Sequence, residues 1–147
     1  MKRLTLEIDS NLSDVLLVAI AVHAVCVHAG MNQDEASQVE LSLVEAVTNS
    51  IQHAYHSEPD HKVTVTITLG REQLRFDLSD SGMSMPPEQI DRLVRGDRIA
   101  ESENCDLAFI HEDGRGLEII HKTMDEIDYR RESGENRLTL TRYLRAV

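Results

Sequence analysis

Residues 45–55 place a carboxylate, Glu45, four positions before a carboxamide, Asn49, in a stretch whose apolar residues recur with helical spacing. Positions i and i+4 share one face of an α-helix, so the two polar side chains lie one turn apart, beside Gln52 or His53. A positioned carboxylate can accept the proton of an attacking hydroxyl. A carboxamide oxygen suits a hard cation such as Mg²⁺. This spacing therefore predicts a ligand-binding polar stripe that suits phosphoryl transfer.

A second pattern indicates a base-binding residue. Leu74, Phe76 and Leu78 alternate with polar residues, so by the period of two Asp80 falls on the apolar face of a strand. Burying an unpartnered carboxylate is costly, which suggests that Asp80 accepts a hydrogen bond from a ligand. The exocyclic amine of adenine is such a donor, and guanine lacks it at that edge, so ATP would be selected over GTP. Gly82 would let the base approach the backbone.

A third pattern is Gly114-Arg115-Gly116-Leu117, which follows a polar stretch and opens an apolar run. Glycines that free backbone N–H groups at the start of a helix form an anion site. Each pattern alone also fits a solvated helix face, an ordinary turn or a flexible loop. Their order and spacing together are far more specific than any one of them.

In this order the three patterns resemble the GHKL ATP-binding superfamily, which includes gyrase, histidine kinases and mismatch-repair ATPases. The resemblance is closest to the small bacterial anti-sigma factor serine/threonine kinases of partner-switching systems. Residues 45–55 resemble the N box, Asp80 and Gly82 the first glycine box, and residues 114–117 the second. The resemblance implies the GHKL (Bergerat) fold in a single domain over residues 1–147. That fold is an α+β two-layer sandwich in which helices cover one face of a mixed, mostly antiparallel sheet.

The resemblance also implies roles. Glu45 would be the catalytic base, Asn49 the Mg²⁺ ligand and Asp80 the adenine anchor, while the nucleotide would also contact Gly82, Gly114, Arg115, Gly116 and Leu117. Family members sequester a sigma factor and use MgATP to phosphorylate a serine or threonine of an anti-anti-sigma (STAS-type) antagonist, which weakens that interface by adding charge. They commonly dimerise through the first strand and helix, here residues 3–29. The alternative is that Val15, Ala19, Val22 and Cys26 simply pack in the core.

The chain departs from the family pattern at three places. Ser84 replaces the second glycine of the first box, Glu112-Asp113 precedes the second box where some members have arginine, and residues 135–137 lack the usual threonine. Carboxylates near a γ-phosphate are unfavourable unless they point away, and Arg115 would compensate. Two alternatives to the kinase therefore stay open. One is an ATP-binding partner-switching protein with little or no kinase activity, and the other is a structural domain that binds no nucleotide.

Composition narrows the function further. A net charge of −11 over 147 residues argues against direct nucleic-acid binding and suits a protein partner with basic patches. Only two cysteines, Cys26 and Cys105, argue against a disulfide framework and favour the cytoplasm. The apolar residues 15–29 are fewer than the roughly 20 that a membrane span needs. His53 is expected to be a partly buried structural residue, and a zinc site with His56 and His61 is a remote alternative.

The periodicity predicts the elements that position these residues. Helices are expected over residues 12–29, from an Asn32 cap through His53, after Pro86-Pro87 through Leu93, and after Gly116. Residues 95–113 are polar and poorly periodic, which is typical of a lid. Strands are expected over residues 3–8, 63–69, 74–79 and 126–131, and after a turn at 133–135.

Overall fold

The computed structural model describes residues 1–96 and 112–145, with the backbone alone for residues 112–115. The predicted α+β two-layer fold is confirmed. The elements in chain order are β1 (Lys2–Asp9), α1 (Val15–His28), α2 (Gln33–Asn49), β2 (Lys62–Leu69), β3 (Gln73–Asp80), α3 (Pro87–Arg95), α4 (Glu112–Thr123), β4 (Glu126–Glu132) and β5 (Glu135–Tyr143). The strands form one sheet in the order β1-β2-β3-β5-β4. Every described pairing is antiparallel, so the sheet is not mixed.

The sheet has one apolar and one polar face because its strands alternate strictly. In β2, for example, Val63, Val65 and Ile67 are fully buried, while the threonines between them are only half-buried. In β3, Phe76 lies at the centre of the buried face. Helices α1, α2 and α4 pack over this face, α2 between the other two. The core between the layers consists mainly of valine, leucine and isoleucine side chains.

Helix α2 begins as predicted, because the Asn32 side chain accepts a hydrogen bond from the Glu35 N–H at 2.8 Å. The α-helix ends at Asn49 and continues as a π-helical turn, Ser50–Ala54, in which the Tyr55 N–H donates to the Ser50 carbonyl at 3.2 Å. The predicted extent of the helix is confirmed, although its last turn is wider than an α-helix. Such π turns are rare and frequently occur at functional sites.

Helix α4 begins at Glu112, so the prediction that it starts after Gly116 is wrong. Gly114 and Gly116 lie within its first turns instead. Packing explains the glycine at position 116, because a Cβ there would lie 2.5 Å from the Glu45 carboxylate oxygen Oε2 of α2. The predicted lid over residues 95–113 falls mostly outside the described residues, as does Cys105.

Helix α1 is apolar on both of its sides. Val15, Ala19, Val22 and Cys26 are buried, as expected if they pack in the core. Burial raises the pKa of the Cys26 thiol to about 12, so this thiol stays protonated at neutral pH. The opposite side exposes a second apolar set, which comprises Leu16, Leu17, Ile20 and Val27. Among the described helices, none is both long enough and apolar enough to cross a bilayer.

Strands β4 and β5 form a hairpin with a two-residue turn at Ser133-Gly134. Both turn residues have positive φ, 52° and 79°, as the primed turns of tight hairpins require. Glu132 and Glu135 pair across the turn. The turn therefore fixes the register of the last two strands.

Candidate nucleotide-binding site

A cavity of about 170 Å³ opens where the end of α2 and its π turn meet β3. Its walls come from the π turn, the loop after β3, α3, α4 and the last two strands. Two of the predicted site residues on separate elements, Asn49 and Asp80, meet here. The lining residues are Ala46, Asn49, Ser50, His53, Ala54, Leu78, Asp80, Met83, Ser84, Met85, Pro86, Gln89, Leu93, Leu117, Ile120, Tyr129, Asn136 and Leu138.

Asp80 is the most deeply buried charged residue of this cavity, with only 8% of its surface exposed. Its oxygen Oδ1 accepts hydrogen bonds from the Gly82 N–H at 3.0 Å and from Asn136 Nδ2 at 2.8 Å. Its oxygen Oδ2 accepts one from the Ser50 hydroxyl at 2.9 Å. The predicted inward position is confirmed, and the three donors offset the desolvation of the carboxylate.

Gly82 allows the loop after β3 to lie directly on the π turn. A Cβ at this position would overlap the carbonyl oxygen of Ala54. The neighbouring Met83 N–H donates to the same carbonyl at 2.9 Å. Any larger residue would therefore displace the loop that carries the Asp80 contacts. Ser84, which replaces the family's second glycine, lines the cavity and is exposed.

The polar stripe of α2 is divided between the cavity and helix α4. Asn49 and His53 line the cavity, whereas Glu45, one turn earlier, is half-buried against Gly116 and does not line it. Gln52 is half-buried and also lies outside the lining. The prediction that His53 is partly buried is wrong, because its side chain is exposed.

The three histidines of the alternative zinc site have different surroundings. His56 Nε2 contacts the Met83 sulfur at 2.9 Å, and the His61 ring stacks on Tyr55 with a centroid distance of 4.4 Å. Within the described part of the chain, no three His, Cys, Asp or Glu residues are arranged to hold a metal ion.

Sequence reasoning missed the residues that fix the loop after β3. Asn136 is 2% exposed and pairs directly with Asp80 across β3 and β5. It stands two residues before Leu138, so the period of two along a strand places it on the same buried face and could have revealed it. The Tyr55 hydroxyl donates to the Lys62 carbonyl at 2.8 Å and accepts from the Ser81 N–H at 2.6 Å. Burial raises the pKa of Tyr55, which keeps this donor protonated. The Tyr129 hydroxyl accepts from the Met85 N–H at 2.9 Å.

Comparison with known proteins agrees with this geometry. Residues 8–142 match the family model described as the histidine kinase-like ATPase domain. The chain belongs to this family. The predicted resemblance to the GHKL superfamily is thereby confirmed over nearly the whole sequence.

Within the histidine kinase-like ATPase family, the chain is similar to proteins named serine-protein kinase RsbW. It is 24% identical to the one from Listeria monocytogenes serotype 4a over 142 aligned residues. The alignment covers 97% of this chain and 87% of the relative. It is 26% identical to the one from Staphylococcus aureus strain MRSA252 over 141 aligned residues, which are 95% of this chain and 86% of the relative.

The fold also matches a crystal structure of the RsbU and RsbW domains of a Mycobacterium tuberculosis protein. The TM-score is 0.61 and the identity 16%, over 97% of this chain. Our chain spans only 32% of that solved chain, so this likeness concerns the fold.

The predicted second glycine box, residues 114–117, lies partly at the cavity. Leu117 of this box lines the cavity, and Gly116 packs beside Glu45. Gly114 and Arg115 lie in the first turn of α4, where the described structure comprises only the backbone. Their contact with a nucleotide stays a prediction, as does that of the other site residues.

Proposed function

We propose that this protein is an ATP-dependent serine/threonine protein kinase and anti-sigma factor of the cytoplasm. It would sequester a sigma factor and phosphorylate a STAS-type antagonist. The observation that carries the proposal is Asp80, a buried carboxylate with protein donors on both oxygens at the base of a preformed cavity. The relatives named serine-protein kinase support the reaction type.

The cavity suits the adenine ring of ATP. Its volume of about 170 Å³ is below the roughly 300–1,000 Å³ of sites that enclose a whole drug-sized ligand, so it fits one ring system and leaves the phosphates outside. Leu78, Leu138 and Ile120 supply apolar walls. Asp80 has about four acceptor positions and three protein donors, so it can still accept the exocyclic amine.

The residues present also fit Mg²⁺, which binds few protein groups when phosphate oxygens and water complete its shell. Asn49 offers a carboxamide oxygen at the cavity, and the described residues include no carboxylate cluster that would bind the ion on its own. When bound, the ion would offset phosphate charge.

Glu45 is the proposed base for phosphoryl transfer. It would accept the proton of the antagonist's hydroxyl, whose oxygen bonds to the γ-phosphorus while the bond to the β–γ bridging oxygen breaks and ADP leaves. Gly114, Arg115 and Gly116 would lie near the phosphates, where the N-terminal turns of α4 favour negative charge.

The proposed site predicts that MgATP stabilises the protein, because a ligand that binds only the native state raises the free energy of unfolding. At a concentration about 100-fold above Kd, we expect the thermal midpoint to rise by roughly 5–10 °C. Asn49→Ala should reduce this rise in MgATP more than in ATP with EDTA. Differential scanning fluorimetry measures both.

No rise with wild-type protein at millimolar MgATP would contradict the nucleotide site and leave a structural domain. A rise without transfer of γ-³²P to purified STAS-domain proteins of the same genome would favour the binding module with little kinase activity. Glu112 and Asp113 motivate that second test, because carboxylates close to a γ-phosphate disfavour binding.

The proposal includes a homodimer formed by the exposed side of α1. Leu16 and Ile20 are 64% and 59% exposed, and Leu4 of edge strand β1 adds a third apolar side chain. Single exposed leucines are common in soluble proteins, but a helix that is apolar on both sides is expected to bury its second side against another protein surface.

We expect the double substitution Leu16→Glu and Ile20→Glu to weaken the dimer at least about 100-fold, since it removes roughly 3 kcal/mol of apolar burial. Sedimentation velocity over a concentration series measures the effect. Leu41→Glu is the matched control, because Leu41 is an exposed leucine of α2. A wild-type protein that is monomeric at 100 μM or so would rule out this interface.

A further inference from the structure

Three polar residues lie in a row across three neighbouring strands. Two of them, Asp80 and Asn136, line the proposed nucleotide cavity, and the third, Arg131, does not. Arg131 of β4 pairs directly with Asn136 of β5, and Asn136 pairs directly with Asp80 of β3. All three point toward the helical layer, where the flanking residues of β3 and β5 are apolar. Arg131 is exposed at the rim, whereas Asn136 and Asp80 are buried.

The surroundings of Asn136 fix the direction of its carboxamide. Nδ2 lies 2.8 Å from Asp80 Oδ1 and 3.1 Å from the carbonyl oxygens of Gly82 and Met83. Its own oxygen Oδ1 accepts a hydrogen bond from Arg131 Nη1 at 2.7 Å. The reverse orientation would place an oxygen against three acceptors and an NH₂ group against a guanidinium. Only one orientation therefore pairs donors with acceptors, and in it the two N–H groups of Nδ2 are shared among the three oxygens.

This fixed carboxamide limits what Asp80 can accept. Each carboxylate oxygen has about two acceptor positions. On Oδ1 both positions are filled, by the Gly82 N–H and Asn136 Nδ2. On Oδ2 one is filled by the Ser50 hydroxyl. With respect to donors in the described part of the chain, one acceptor position remains, and it belongs to Oδ2.

Arg131 also holds the loop that forms the cavity edge. The same Nη1 atom donates to the Gly82 carbonyl at 2.9 Å. Arg131 and Asn136 thus bind the same carbonyl from one side, while Met83 binds the Ala54 carbonyl on the other side of the loop. The position of the loop and the free acceptor of Asp80 depend on the same pair of residues.

We propose that Asn136, oriented by Arg131, is a positioning residue that sets the base specificity of the site. It saturates Asp80 Oδ1, so that Oδ2 alone presents one acceptor to the exocyclic amine of the bound purine. This inference rests on the proposed ATP site. It assigns the choice of base to strands β4 and β5 as well as to Asp80.

The test is the ratio of dissociation constants for GTP and ATP, measured by isothermal titration calorimetry on the full chain. Asn136→Leu removes the carboxamide at similar volume, and we expect the ratio to fall by about tenfold or more. Arg131→Gln leaves Asn136 in place and should lower the ratio less. Arg130→Gln is the matched control, because Arg130 is exposed, pairs with Asp128 and lies outside the cavity lining.

The measured ratio separates specificity from stability. If Asn136 only supports the fold, Asn136→Leu weakens ATP and GTP equally and the ratio stays at the wild-type value, which would overturn the inference. If Asn136→Leu does not fold, the same ratio is measured for Arg131→Gln, whose substituted residue is exposed. A ratio at the wild-type value would then overturn the inference. A wild-type protein that binds no ATP would instead refute the proposed function.

Discussion

Replacing Glu45 by glutamine is expected to slow phosphorylation of the antagonist by about 10²–10⁴-fold, with little change in the affinity for MgATP. The amide has nearly the same size, so the packing against Gly116 is kept, but it cannot accept the proton of the attacking hydroxyl. Single-turnover transfer from γ-³²P-ATP measures the rate, and calorimetry measures the affinity. Glu40→Gln is the matched control, since Glu40 lies on the same helix and bonds His23 Nδ1 at 2.8 Å.

Gly116→Ala tests the same role from the opposite helix. The added methyl group would lie 2.5 Å from Glu45 Oε2 and must displace the carboxylate. We expect a loss of transfer rate comparable to that of Glu45→Gln. Transfer at the wild-type rate by Glu45→Gln would show that another group accepts the proton and that Glu45 is structural.

Replacing Asp80 by asparagine is expected to weaken ATP binding by about 100-fold and to reverse the preference between ATP and GTP. The retained oxygen can keep the donors of Gly82 and Asn136, so the new NH₂ group takes the place of Oδ2. Two N–H donors, this NH₂ group and the exocyclic amine of adenine, would then face each other. This arrangement makes the free energy of ATP binding about 3 kcal/mol less favourable. The carbonyl oxygen of guanine would instead accept a hydrogen bond from the NH₂ group.

Calorimetry with ATP, GTP and purine riboside triphosphate, which lacks the exocyclic amine, measures this change. Asp77→Asn is the control, because Asp77 is on the same strand but on the other face, where it accepts from the Thr139 hydroxyl at 2.8 Å. Equal losses for all three nucleotides in Asp80→Asn would mean that Asp80 supports the loop and does not read the base.

The sequence predicted the parts of the site that local periodicity determines. Asp80 follows the alternation of Leu74, Phe76 and Leu78, and Asn49 follows the helical repeat, so both faces were predictable. The same rule applied to Leu138 and Leu140 would have revealed Asn136. The alternation predicts this strand, but its first residues carry no binding motif.

Other features depend on contacts between distant segments and leave no local pattern. The π turn forms where Ser50 contacts Asp80, thirty residues away in sequence, and where the Ala54 carbonyl accepts a hydrogen bond from the Met83 N–H, twenty-nine residues away. The sequence pattern predicts that α4 starts after Gly116, whereas in the structure Gly116 lies inside α4 and permits close packing of two helices. The start of α4 differs from the prediction because a tertiary contact overrides the low helix propensity of glycine.

The two-residue turn at Ser133-Gly134 connects a surface loop with the proposed choice of base. Arg131 and Asn136 stand two residues before and after it, so its length sets which residue of β4 lies opposite Asn136. Asn136 itself is held opposite Asp80 by the pairing of β3 with β5 and by the burial of Leu138 and Leu140 on the same face. Because side chains alternate along a strand, a change of one residue in the turn would shift the edge strand β4 and bring Arg130 or Glu132 opposite Asn136 in place of Arg131. Insertions and deletions in surface turns are among the changes that folds tolerate best. Under the proposed role of Asn136 and Arg131, the preference between ATP and GTP therefore depends on the length of a surface turn, while the residues that line the cavity stay the same.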